Sequence, residues 1–151
     1  MLQTLLRLLL LAGSLIGISC YSQVQLVSEE EARRPDQAFK LTRAISRGPS
    51  VKLVSNAAVD AKSFQFKIAL EPKGGAQIDA QSLKIEYLKN PPVELAERLK
   101  TALTERLKTA LTGNYLTIPV ASLPKGTHSF KISVKDTDGR EGQSIISLDA
   151  K

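Results

Sequence analysis

Tryptophan is absent from this chain, and four phenylalanines with three tyrosines supply all of its aromatic surface. A core built from such a sequence has to be aliphatic. The same scarcity argues against a stacking platform for sugars or single-stranded nucleic acid. Of the tyrosines, only Tyr87 and Tyr115 lie after residue 22, and Tyr87 has the parity of an inward residue. Histidine occurs once, at His128, and cysteine once, at Cys20. A lone cysteine permits no intrachain disulfide. A nucleophile–base pair would have to use His128, and a zinc site would need more ligands than the chain offers outside aspartate and glutamate. Composition therefore predicts a chain that is not an enzyme and takes no metal or other cofactor.

What is present is an ordinary apolar fraction, 42%, in 151 residues, enough for one compact domain with an appendage. Lys and Arg number 21 against 15 acidic residues, a formal charge of +6. The basic residues are spread along the chain, and in strands they alternate with apolar ones, which reads as a solvated face. Attraction to anionic lipid or to an acidic envelope polymer is the alternative reading of the same charge.

Residues 1–22 read as a secretory signal peptide. Arg7 gives the positive start, residues 8–18 an apolar run too short to span a bilayer comfortably, and small residues follow. Two cleavage points satisfy the small-x-small rule. Gly17-Ile18-Ser19 precedes Cys20, and Cys20-Tyr21-Ser22 precedes Gln23. Ile18-Ser19-Cys20 resembles the end of a bacterial lipoprotein box, which makes Cys20 a candidate lipidation site, although Gly17 stands where that box has a large aliphatic residue. The expected location is exported, periplasmic or cell-surface, with a lipid anchor if Cys20 is retained.

Residues 23–49 are polar and charged and are read as a tether. Ser28 to Glu31 has capping-box spacing, but Pro35 follows too closely for a long helix. Arg33, Arg34, Arg43 and Arg47 make this stretch locally basic. The tether or a lipid anchor is the route to a membrane; no nucleic-acid partner is expected.

The domain is expected over residues 50–150. Val51 and Leu53 suggest a first strand, and Phe64, Phe66, Ile68 and Leu70 alternate with Gln65, Lys67 and Ala69 in a clear second one. Gly74-Gly75 marks a turn. Leu83, Ile85 and Tyr87 define a third strand, stopped by Pro91 and Pro92. Leu116, Ile118 and Val120 define another, in which Pro119 suggests an edge or a strand end. A hairpin closes the chain: His128, Phe130, Ile132 and Val134 alternate with polar residues, Asp136-Thr137-Asp138-Gly139 turns, and residues 144–148 return. The Asp136 turn starts like a calcium loop but lacks the third acidic position and the distal glutamate, so it is read as a turn.

Between these strands, residues 93–112 read as an inserted amphipathic helix, with Leu95, Leu99, Leu103, Leu107 and Leu111 on one face and Gly113 as its cap. Glu94 stands four residues before Arg98, the favourable helical spacing. The octapeptide ERLKTALT occurs twice in tandem, at residues 97–104 and 105–112. Eight residues advance a helix by about 12 Å and turn it by about 80°. Two copies make no solenoid, and the reading is a tandem duplication or engineered insertion tolerated by high helix propensity.

About six strands with regular turn signals indicate an all-β sandwich. The run Leu123-Pro124-Lys125-Gly126-Thr127-His128, followed by alternating apolar residues, Asp136 and Gly139, resembles the end of a bacterial immunoglobulin-like or fibronectin-III-like domain. The segment Ile78-Asp79-Ala80-Gln81-Ser82-Leu83 resembles the approach to the third strand of such domains. With its signal and short charged tether, the chain also resembles small exported bacterial proteins that carry one such domain and have no assigned activity. The resemblance implies an immunoglobulin-like β-sandwich with a helical insertion, in which His128 stands where tyrosine is commonest. It implies an interaction module for another envelope protein, with a basic-tethered lipid- or polymer-binding accessory as the alternative. The surfaces singled out for a partner are the strand carrying Leu116, Ile118 and Val120 and the helix face carrying Leu107 and Leu111; a loop set is a further one.

Overall fold

The structure, a computed structural model, describes residues 23–38, 47–102 and 111–151. Residues 1–22, expected from the sequence to be a signal peptide, with Cys20, together with Arg43, Leu107 and most of the second ERLKTALT copy, lie outside the described residues.

Strand formation follows the period-two pattern. In β4 (Phe64–Glu71) and β9 (Gly126–Asp136) the apolar side chains of alternate positions are buried and the lysines between them are not. Six longer strands carry the fold: β2 (Ser50–Leu53), β4, β5 (Ile78–Tyr87), β8 (Tyr115–Ser122), β9 and β10 (Glu141–Ala150). Four two-residue strands complete the edges: β1 (Val24–Gln25), β3 (Ala58–Val59), β6 (Val93–Glu94) and β7 (Leu111–Thr112). One sheet runs β2–β4–β8, with β1 and β7 both on the outer side of β8; the other runs β3–β10–β9–β5–β6. All pairings are antiparallel except β1 with β8 and β3 with β10.

The chain thus visits the first sheet in β2, switches to the second in β3, returns in β4, crosses to β5 and β6, comes back in β7 and β8, and ends in the β9–β10 hairpin. This is the strand order of an immunoglobulin-like β-sandwich. Phe66, Ile68, Leu70, Leu116 and Ile118 from one sheet meet Ile85, Tyr87, Phe130, Ile132, Val134 and Leu148 from the other in a single buried core. Each such side chain contributes about 1.5–3 kcal/mol by leaving water. On one edge the two sheets meet closely: a Cβ on Gly142 would lie 1.8 Å from the Pro49 carbonyl oxygen, so only glycine fits there.

Three expectations are corrected. Residues 23–37 are not a solvated tether. Leu26 and Val27 are 3% and 0% exposed, β1 pairs with Ala121 and Ser122, and a single helical turn, α1 (Glu29–Ala32), follows. Two apolar residues in a polar stretch suffice to dock it, because they plug the core beside β8. Secondly, the segment 93–112 is not one helix. Val93 and Glu94 pair with Tyr87 and Glu86, and Leu111 and Thr112 pair with Leu116 and Tyr115. The described helix is α2 (Ala96–Ala102), with Leu95 and Leu99 buried. Strand pairing at both ends overrides helix propensity. Glu94, now in a strand, is no helical partner for Arg98. Thirdly, β8 is not a free edge: β4 lies on one side, and β1 and β7 take the two ends of the other. Pro119 sits instead where the β4–β8 register slips, between the pairs Phe66–Ile118 and Phe64–Ala121; a bulge there spares a missing N–H.

Candidate functional site

Three turns collect at one end of the sandwich: residues 72–77 between β4 and β5, Gly113-Asn114 between β7 and β8, and residues 137–140 between β9 and β10. Glycine shapes each of them, with positive φ at Gly74, Gly75, Gly113 and Gly139. The first and third are bonded to each other. Thr137 N–H donates to the Gln77 carbonyl at 2.9 Å, and Gln77 N–H donates to Thr137 Oγ1 at 3.2 Å. The Asn114 carbonyl accepts from Leu70 N–H at 2.7 Å, tying the second turn to β4.

Arg140 braces this end. Its Nε donates to Asp136 Oδ2 at 2.9 Å, and its Nη2 donates to Asp138 Oδ2 at 2.6 Å and to the Lys73 carbonyl at 3.0 Å. The Asp136 side chain is fully buried, and its Oδ1 also accepts the backbone N–H groups of Asp138 and Arg140. A buried carboxylate with a charged partner and two backbone donors is a stiff anchor. The Asp136 turn is therefore held by the half-buried Arg140, which pairs with both of its aspartates.

At the opposite end His128 lies at the start of β9, 3% exposed. Its Nδ1 is 2.8 Å from Tyr87 Oη and its Nε2 is 2.7 Å from the Pro124 carbonyl. A carbonyl only accepts, so Nε2 carries the proton and Nδ1 accepts the Tyr87 hydroxyl. Burial pushes His128 below its ordinary pKa of 6.5, and Lys89 adds to this, while the Pro124 bond and Asp36 oppose it. Burial first, then the charges of Asp36 and Glu31, push Tyr87 up to about 12. Lys89 reaches over the Tyr87 ring, 5.6 Å from its centroid, and binds Asp36.

A second ion pair joins the N-terminal segment to the insertion. Arg98 Nη1 and Nη2 donate to Glu31 Oε2 and Oε1 at 3.0 and 2.6 Å. Ser28 N–H also donates to Glu31 Oε2, and Ser28 Oγ accepts from Glu31 N–H, completing the capping box. The Arg98 bonds, helped by Ser28 against the cost of burial, bring Glu31 down to about 2.

Of the residues singled out in the sequence, Leu116 and Ile118 face the core at 1% and 0% exposure, so neither side chain is offered to a partner. Val120 is half-buried, and Leu111 lies in β7 opposite Leu116. Tyr115 is exposed, with Lys67 Nζ 4.7 Å from its ring centroid. Arg33 lies 3.5 Å from Glu29, both exposed. Arg140, Glu31, Lys89 and Asp36 were not singled out as a site; only the Ser28–Glu31 spacing pointed toward one of them. Among the described residues no three His, Cys, Asp or Glu side chains gather at metal-binding range, and no helix is long and apolar enough to cross a membrane.

No protein-family model and no curated protein sequence matches the chain. Among solved structures it is similar to a superoxide reductase (neelaredoxin) from Ignicoccus hospitalis, with 10% identity over 70% of this chain and 83% of that one, at a TM-score of 0.44. The sequence-based expectation that the chain is not an enzyme is corrected by this finding, since a structure of similar shape is an enzyme by name. A likeness of that size brings no activity to this chain.

Proposed function

We propose that the chain is an exported, immunoglobulin-like interaction module that binds another protein of the cell envelope through the turns at residues 72–77, 113–114 and 137–140. The observation that carries the reading is the bracing of two of these turns, 72–77 and 137–140, by Arg140. The loops at 72–77 and 137–140 are fixed to each other, and the 113–114 turn is tied to β4, so a partner meets a surface whose ordering cost is largely met. The edge strand and helix face are weaker surfaces, because Leu116 and Ile118 are in the core and β8 is covered at both ends. Export is supported by the pattern of residues 1–22.

The basic-tether alternative has less support: residues 23–37 are docked on the sandwich, and Arg33 has Glu29 beside it. Capture from envelope extract tests the proposal with three baits: the unaltered protein, Thr137→Arg at the braced end, and Lys125→Glu at the opposite end. A partner retained by the unaltered protein and Lys125→Glu but lost with Thr137→Arg supports it. Equal retention by all three overturns it.

A further inference from the structure

Residues 35–37 form a clip across the turn that follows β5. Asn90 N–H donates to the Pro35 carbonyl at 2.9 Å, Gln37 N–H donates to the Leu88 carbonyl at 3.3 Å, and Asp36 binds Lys89. The clip is exposed, whereas Leu88 and Lys89 beneath it are each 7% exposed. One layer deeper are Tyr87 and His128, both buried, with ring centroids 5.7 Å apart.

We propose that His128 is an acid sensor that opens this clip: a proton on its Nδ1 disrupts the bond from Tyr87 and sets an imidazolium against Lys89, the residue that fastens Asp36. The neutral ring accepts at Nδ1 and donates at Nε2. Once Nδ1 carries a proton, the Tyr87 hydroxyl must turn from donor to acceptor, and its own hydrogen loses its acceptor in a buried site. The new positive charge then stands beside the same Tyr87 ring that Lys89 reaches over, where two cations repel.

The charged and titratable groups around this ring are few enough to assign. Tyr87 approaches from β5, Lys89 from the turn after it, and Asp36 from the clip, while Glu31 acts on Tyr87 from α1. His128 itself is unable to move away, because β9 is paired with β10 from Gly126 to Lys135, Leu148 standing opposite His128. Lys89 has a flexible stem and an exposed partner, so it yields first. As Lys89 turns outward, the clip loses its ion pair and keeps only two backbone bonds. The Glu31–Arg98 pair stays intact through this range, since Glu31 titrates only near 2. Opening is therefore confined to residues 35–37 and their partners, and α1 stays docked.

Amide hydrogen exchange on the full chain, followed by NMR at about pH 7 and about pH 5 and corrected for intrinsic rates, reads this directly. The expected result is about tenfold loss of protection at Gln37 and Asn90, with Leu26 and Arg33 unchanged. In His128→Gln the loss is expected to disappear. Should that variant fail to fold, the unaltered protein still decides: the His128 ring signals and the Gln37 and Asn90 amides are expected to titrate with one midpoint. Separate midpoints, equal protection at both pH values, or a loss shared by Leu26 and Arg33 would overturn the proposal.

Discussion

Phe66 on the first sheet and Phe130 on the second face each other across the interior, their ring centroids 6.5 Å apart and their planes tilted by 54°. Phe130 also lies 5.3 Å from the Tyr87 ring, so these three rings bridge the two layers in a core whose remaining members, apart from Phe64, are aliphatic. Tilted pairs at this distance are worth about 0.5–1.5 kcal/mol beyond area burial. Phe66→Ala and Phe130→Ala are each expected to cost about 3–5 kcal/mol in urea unfolding. The double variant should cost less than the sum, because the second truncation no longer breaks the ring pair. Strict additivity would mean that the rings do not meet.

The pH dependence of stability has two acid windows. His128 has a lowered pKa in the folded chain, so the unfolded chain takes up its proton first as pH falls below 6.5, and stability declines from there. Glu31 is also lowered, from 4.5 to about 2, and its contribution is full above 4.5 and lost as pH falls toward 2. Screening at the partly exposed Arg98 leaves that contribution at about 1–2 kcal/mol. Unfolding measured across pH should show both declines, and Glu31→Gln should remove only the lower one.

Removing residues 103–110 joins Ala102 directly to Leu111. Because the two octapeptides are identical, the shortened chain still reads ERLKTALTGNY, and the sequences of α2 and β7 are both kept. Shortening a connection costs little and relieves closure entropy. The melting temperature is expected to hold or rise slightly. A large fall would assign the second copy a structural task.

Arg140→Ala removes the brace at the loop end. The Asp136 carboxylate keeps two backbone donors but loses its charged one, at an expected cost of about 1.5–3 kcal/mol. Exchange should rise at Thr137 and Gly139, whose amides bond to Gln77 and Asp136. Unchanged protection there would show that the turns hold their shape without Arg140.

The sandwich is legible where large apolar residues alternate with polar or small ones, as from Phe64 to Leu70 and from His128 to Val134. Every inward position there is apolar or, at His128, locally bonded. What escaped the sequence rests on distant partners. Ser28 and Glu31 show a capping box, but nothing local reveals that Arg98, 67 residues away, completes it. The leucine spacing around Leu95 and Leu111 is helical, yet strand neighbours at both ends take Val93 and Leu111 out of the helix. Pro119 signals a broken ladder without saying whether by an edge or a bulge. The alternation gives His128 the same parity as Phe130 and Ile132, but its bonds to Tyr87 and Pro124 needed the fold.

The central claim is that the protein is read by its partner at the Arg140-braced end. Site-specific photo-crosslinking in intact cells tests it most directly, with the probe placed in turn at Gly74, at Thr137 and, as the opposite-end control, at Lys125. One discrete adduct is expected, formed from Gly74 and Thr137 and missing from Lys125. An adduct formed from Lys125 and missing from the other two would contradict it.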